Sequence, residues 1–198
     1  VRDAILDSWK RCLGFGVPPS LKKAPVEATA GEDLRFFQDR HKDLLSAAAQ
    51  SVAPLSEVLS QSSSLLIVAD ARGVILECRG DESVMAHAEK TNIRPGGNWN
   101  EAACGTNAVG TALALGRPVQ VNASEHYCEG VKKWACSAAP IRDPVDQDVL
   151  GIVDISGVHG AFHAHSLALV ISVAKQIEAI LGAEATQCRN RLLEWCHA

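Results

Sequence analysis

Residues 99–113 hold the densest run of side chains that could do chemistry: Trp99-Asn100-Glu101-Ala102-Ala103-Cys104-Gly105-Thr106-Asn107-Ala108-Val109-Gly110-Thr111-Ala112-Leu113. Thr106 or Asn107 is placed to cap a helix running from about Thr106 to Leu115, by accepting from its first free backbone N–H groups. The positive end of that helix then faces whatever sits above it. Gly110 and Ala112 are small enough to let the helix lie close against a sheet. A cap plus tight packing accounts for these residues without a ligand. The segment is not a phosphate loop, because no Lys-Ser/Thr follows a glycine-rich turn.

Asp154 is the second candidate. It stands in Leu150-Gly151-Ile152-Val153-Asp154-Ile155-Ser156, an otherwise apolar strand. Burying it without donors would cost several kcal/mol, about the penalty for an unpaired polar group. It therefore either bonds a neighbouring backbone turn or meets a ligand. Strand alternation places Trp134, Cys136 and Ala138 on one face and Ala135, Ser137, Ala139 and Ile141 on the other. In the partner strand Leu150, Ile152, Asp154 and Ser156 share a face. Cysteines and histidines invite other chemistry. The chain has 7 cysteines, an odd number, with no C-x-x-C pair and no zinc-finger spacing. Cys104, His126, Cys128 and Cys136 could converge as a metal or redox site, or stand apart as small buried thiols. His159, His163 and His165 could pinch a metal, but they fall at a strand-to-helix turn, where a helix start accounts for them as well. No metal or other cofactor is assigned.

The elements that must position these residues follow from periodicity. Residues 1–13 read as a short amphipathic helix with Ile5, Trp9 and Cys12/Leu13 on one face. Residues 14–31, with Pro18, Pro19 and Pro25, read as an irregular connector. Residues 33–60 look helical, with Pro54 kinking or splitting them. Leu65–Asp70 and Val74–Cys78 form a hairpin around Ala71-Arg72-Gly73. Residues 81–104 are mixed and polar. After the helix at 106–115 come a short strand at 118–121 and a polar loop at 122–132. A second hairpin spans Lys133–Ile141 and Val149–Ser156. His165 to Trp195 reads as one long helix of roughly 45 Å at 1.5 Å per residue, longer than a small domain needs. The order is helix, hairpin, helix, strand, hairpin, helix, which makes the fold α+β rather than doubly wound.

Composition narrows the function classes. The chain has 198 residues, 47% hydrophobic and 21% charged, enough for one buried core. The formal charge of −4 and the lack of a basic cluster exclude a nucleic-acid grip by this segment. No run of about 18 uninterrupted apolar residues exists, so no membrane span is expected. The start Val1-Arg2-Asp3 has no apolar signal region and no Met, and reads as part of a longer chain. Reduced thiols and a cytoplasmic location are the corresponding expectations.

Several motifs, in order, resemble the GAF sensory domain of sigma-54-dependent bacterial transcription activators of the acetoin-catabolism regulator type. They are Gly97-x-Trp99-x-Glu101-x3-Gly105-Thr106-Asn107-Ala108-Val109-Gly110-Thr111-Ala112-Leu113, Pro118-Val119, Glu125-His126, Trp134-x-Cys136-Ser137-Ala138-Ala139-Pro140-Ile141-x-Asp143-Pro144 and Gly151–Gly157. The opening Ile5-x-Asp7-Ser8-Trp9-x-Arg11-Cys12-Leu13 is also similar, so the resemblance covers nearly the whole chain.

The resemblance implies a central antiparallel sheet flanked by helices, a ligand pocket against the sheet, and a long C-terminal signalling helix. It implies an N-terminal helix and connector at 1–32, the sensory domain at 33–182 and a helical extension at 183–198. The expected ligand-binding set is Trp99, Glu101, Thr106, Asn107, His126, Trp134, Ser137 and Asp154. Two indoles offer apolar walls and N–H donors; Glu101 and His126 offer partners for a hydroxyl or carbonyl. Expected partners are a small-molecule effector, a second copy of the chain, and sigma-54 RNA polymerase and DNA only through AAA+ and DNA-binding parts that this segment lacks. No nucleophile-base-orienter set is present, so a non-enzymatic sensor is expected. The alternatives are a redox, metal or haem sensor, or a thiol-dependent methionine sulfoxide reductase using Cys78, Cys104, Cys128 and Cys136. Cyclic-nucleotide binding lacks a basic phosphate anchor.

Overall fold

The computed structural model describes residues 1–27, 32–158 and 165–196. Five antiparallel strands form one sheet: β1 (Ser64–Asp70), β2 (Ile75–Gly80), β3 (Val119–Asn122), β4 (Trp134–Arg142) and β5 (Val149–Val158), in the order β2-β1-β5-β4-β3. The last strand in sequence thus lies at the centre. Both hairpins stand as expected. Asp70 closes the first by accepting from the N–H groups of Arg72 (2.9 Å) and Val74 (2.8 Å) through Oδ1.

Helices cover both faces, so the strands alternate between two cores rather than between core and water. On one face α1 (Asp3–Gly14), α5 (Glu82–Glu89), α6 (Glu101–Cys104) and α7 (Ala108–Leu115) lie over Leu65, Ile67, Trp134, Cys136, Ala138 and Ile152. On the other, α3 (Lys42–Val52), α4 (Ser56–Gln61) and α8 (His165–Cys196) lie over Leu66, Val68, Ala139, Ile141, Val153 and Ile155. Ahead of α3 runs α2 (Glu32–Asp39).

Four local details differ from expectation. The helical stretch at 33–60 is three helices and a 3₁₀ turn. Its first break comes at His41, whose Nδ1 bonds the Phe37 carbonyl (2.9 Å) and caps the end of α2. The second is the expected one, at the 3₁₀ turn Ala53–Leu55, where Pro54 cannot donate into a preceding turn. Helix α5 arises inside the segment read as mixed and polar. Asp81 starts it by accepting from Ser83 and Val84 N–H. Helix α7 begins at Ala108 because Asn107 is the cap, its Oδ1 accepting from Gly110 N–H at 2.9 Å. The polar loop at 122–132 contains two 3₁₀ turns, Ala123–Glu125 and Glu129–Val131.

Helix α8 has 32 residues, roughly 48 Å at 1.5 Å each. By length and composition one window of it is apolar enough to cross a membrane, with a mean hydropathy of 1.5. Its Val170, Val173, Ala174 and Ile177 are instead buried against the sheet. From Ala183 onward every residue of α8 is exposed.

Close approach of α7 to the chain before it depends on Gly110. A Cβ there would stand 2.6 Å from both the Trp99 carbonyl and the Glu101 amide nitrogen, which are backbone atoms that cannot rotate away. Gly110→Ala is expected to destabilise the fold by about 1–3 kcal/mol, the usual cost of overpacking, measured by urea denaturation.

Candidate functional site

Between the sheet and α7 lies a cavity of about 20 Å³. One water needs roughly 10–15 Å³, and drug-sized sites run to roughly 300–1,000 Å³, so this one is nearly closed. The sheet supplies Ile67, Trp134, Cys136, Asp154 and Ser156. The opposite wall is built by loops and α7: Ile93, Trp99, Asn107, Ala108, Val109, His126 and Val131. Five of the eight expected site residues meet here: Trp99, Asn107, His126, Trp134 and Asp154. Cys136 and Ser156 were not in that set, although alternation had placed them on the faces of Trp134 and Asp154.

Two of the five have already used their polar atoms. Trp99 Nε1 donates to the Asn92 carbonyl at 3.1 Å. Asn107 Nδ2 donates to the carbonyls of Trp99 (2.9 Å) and Gly105 (2.8 Å), while its Oδ1 caps α7. These two are walls and braces.

The other three keep an unpaired atom each. Trp134 Nε1, His126 Nε2 and Asp154 Oδ2 are buried without a hydrogen-bond partner. All three residues are 1% exposed. The cause for Asp154 is its register: it sits between Ile67 and Ala138, neither of which offers a side-chain donor. Its Oδ1 receives only Ser156 Oγ, at 2.5 Å. His126 follows the 3₁₀ turn, which folds its Nδ1 onto the Ala123 carbonyl at 3.1 Å. A carbonyl can only accept, so Nδ1 carries the hydrogen and Nε2 presents a lone pair. His126, although it follows a polar loop, is thus a core group.

Burial sets the charges. It pushes the Asp154 carboxyl up to about 7, against a smaller downward pull from Ser156. It pulls His126 down to about 4, only partly opposed by the Ala123 carbonyl and Glu125. The cavity wall holds no Lys or Arg.

Glu101, Thr106 and Ser137 lie away from the cavity. Glu101 is buried in a two-pronged ion pair with Arg11, Nε to Oε2 at 2.7 Å and Nη2 to Oε1 at 2.9 Å. Ser8 Oγ donates to Glu101 Oε1 (2.5 Å) and lies 2.7 Å from Thr106 Oγ1. Both residues thus anchor α1. Ser137 points to the α8 side of the sheet and accepts from Gln120 Nε2 at 3.1 Å.

The thiols suit packing better than catalysis. Burial raises Cys78, Cys104 and Cys136 well above the usual thiol range and Cys128 to about 11. The thiolate is the attacking species, so these sulfurs are poor nucleophiles at neutral pH. Among the described residues no group of three or more His, Cys, Asp or Glu is placed to hold a metal. His159 and His163 lie outside the described residues, and His165 opens α8.

The two shifted groups give opposite pH slopes. Asp154 moves from 3.8 to about 7. Between those values the native state holds a proton that the unfolded chain has released, so its contribution falls as pH rises. His126 moves from 6.5 to about 4. There the unfolded chain binds the extra proton, so its contribution rises with pH. The slopes offset each other between about pH 4 and 6.5. Asp154→Asn should expose the His126 slope, with stability rising over that range, and His126→Gln should expose the falling one. Urea midpoints against pH measure both.

Comparison with known proteins places this architecture. Residues 1–179 match the family described as MimR, N-terminal domain. The acetoin dehydrogenase operon transcriptional activator AcoR of Bacillus subtilis is 32% identical over 193 residues, 98% of this chain and 32% of that protein. The propane 2-monooxygenase operon transcriptional activator MimR of Mycolicibacterium smegmatis is 30% identical over 199 residues, again 98% and 32%. The chain therefore spans about a third of the length of these relatives. In fold, it is similar to the structure of the E. coli DhaR(N)-DhaL complex, with a TM-score of 0.90 at 20% identity, covering 99% of this chain and 66% of that one. The central antiparallel sheet flanked by helices, with its long last helix, is the α+β architecture expected from the motifs. The family match over residues 1–179, together with relatives that are transcriptional activators, shows that the chain belongs to the MimR N-terminal domain family.

Proposed function

We propose that this domain senses a small uncharged metabolite in the cavity between the sheet and α7, without performing catalysis. The supporting observation is the convergence of three unpaired polar atoms, on Trp134, His126 and Asp154, in one void. Each such atom costs about 1–3 kcal/mol when left unmet. A ligand with a hydroxyl or carbonyl group would satisfy them: the indole N–H donates, the imidazole Nε2 accepts, and the carboxyl does either. The absence of Lys and Arg from the wall disfavours an anion. Ile67, Ile93, Val109 and Val131 suit a short aliphatic body.

Acetoin is the first compound to test, since the AcoR relative is the activator of an acetoin dehydrogenase operon. Calorimetry should register saturable binding by acetoin or a related small ketone or diol. Trp134→Phe keeps the ring and removes the donor, and should weaken that binding roughly tenfold, one neutral hydrogen bond's worth. No heat from any such compound, with Trp134→Phe more stable than wild type and otherwise unchanged, would leave the cavity a packing defect.

The output we assign to a dimer formed along α8, passing the signal to AAA+ and DNA-binding parts that act with sigma-54 RNA polymerase in the cytoplasm. Leu181, Ala185, Cys188, Leu192 and Trp195 recur at alternating steps of four and three, a short heptad seam. Leu192 and Trp195 are 60% and 80% exposed, a poor end state for large apolar groups. Leu181, Ala185 and Cys188 also edge an open groove of about 530 Å³ beside Pro144 and Val145. Sedimentation should give a dimer, and Leu192→Glu with Trp195→Glu should give a monomer of unchanged fold.

A further inference from the structure

We propose that residues 1–27 form a strap that holds the cavity closed, and that opening the cavity releases this strap first. The inference rests on the cavity being the effector site, and it locates the moving part.

The strap touches each loop of the cavity's outer wall. At its start, Arg2 grips the carboxylate of Glu125 with Nε (3.0 Å) and Nη2 (2.6 Å). Trp9 Nε1 donates to the Glu125 carbonyl at 2.8 Å. Glu125 is the residue before His126, so α1 fixes the histidine's turn. On either side of Trp9, Ser8 and Arg11 hold Glu101, two residues beyond Trp99, and Ser8 also reaches Thr106, next to Asn107. The connector continues the pattern. Backbone N–H groups of Glu129 and Gly130 donate to Pro19 (2.9 Å) and Leu21 (3.1 Å), beside Val131. Asn92, which receives the Trp99 indole, donates from Nδ2 to the Ala24 carbonyl at 2.7 Å. The backbone N–H of Asn98 donates to Pro25 at 2.8 Å.

The sheet wall cannot yield, because β5 is paired on both sides over its length. A void of about 20 Å³ can grow only if the loop wall moves. Each loop in that wall is bonded to the strap. Helix α8 lies across the sheet, in the other core, so it has no direct contact with the moving wall. The strap's bonds concentrate on two carboxylates, Glu101 and Glu125, which makes its hold breakable by single substitutions.

Thiol labelling tests this without any effector, so its outcome is separate from whether a metabolite binds. Cys104 and Cys128 lie beneath the connector, lining a small void with Leu21, Lys22 and Ala24, and Cys136 lies across the main cavity. N-ethylmaleimide labelling of each site is followed by mass spectrometry in wild type and Arg11→Met. The control is hydrogen exchange at the β5 amides Ile152–Ser156. Release of the strap should speed labelling of all three cysteines roughly ten- to hundredfold, the loss of one charged hydrogen-bonded contact, with β5 exchange unchanged. Ser8→Ala, which keeps the ion pair, should give a smaller increase of the same pattern, and stands in if Arg11→Met does not fold. Labelling that is unchanged, or that rises only in step with β5 exchange, overturns the proposal.

Discussion

A sheet covered on both faces leaves no wet side on which to put a polar residue. That constraint governs this domain. β5 runs down the middle, hydrogen-bonded to β1 and β4, and its side chains alternate between two dry cores. Ile152, Val153 and Ile155 meet that demand. Asp154 breaks it, at the centre of the sheet, with apolar neighbours on both flanking strands. Only Ser156, two residues along the same strand, offers a bond. A carboxyl so placed is held mostly as the neutral acid in mildly acidic solution, and it makes a hydrogen-bonding site of what would otherwise be a seam of packed hydrocarbon.

The rest of the cavity wall is arranged around this group by polar bonds of long sequence range. Asn107 does the most with one side chain: it starts α7 and ties it to the backbone of Trp99 and Gly105. Because α7 must lie close, Gly110 has no room for a methyl group. Arg2 and the α1 helix then close over the outside with ion pairs to Glu125 and Glu101. The result is a rigid floor made by the ladder of strands and a roof made of short loops, each separately pinned. Floors of this kind hold geometry, and roofs of this kind permit change.

The hairpins, α7 and the long α8 were legible because their periods are regular. The cavity face was legible too: alternation alone placed Trp134 with Cys136 and Asp154 with Ser156. Helix α5 was not, since Asp81 is its one clear start signal and its body mixes Ala with charge. His126 entered the site set through the Glu125-His126 motif alone, because nothing local reveals that a 3₁₀ turn folds it inward. Glu101 and Thr106 were assigned to the ligand, yet they serve α1. Their partners Ser8 and Arg11 lie about 90 residues away, and a single sequence does not show such pairs. Ser137 stayed in the site set through the family motif, although alternation had already put it on the opposite face.

The turn between β4 and β5 bears on α8 in a particular way. A Cβ at Gly182 would lie 3.3 Å from Pro144, so the missing methyl lets the turn seat directly against the helix. Gly182 is also where burial ends and the free half of α8 begins. The turn is thus a fulcrum, and the residues from Ala183 to Cys196 are a lever arm of roughly 21 Å at 1.5 Å per residue. Glycine has a low helix propensity, so the helix is supported beside one of its weakest positions. A tilt of about ten degrees there would carry the tip at Trp195 sideways by roughly 4 Å over that length, turning a small shift in the core into a movement about as wide as a side chain.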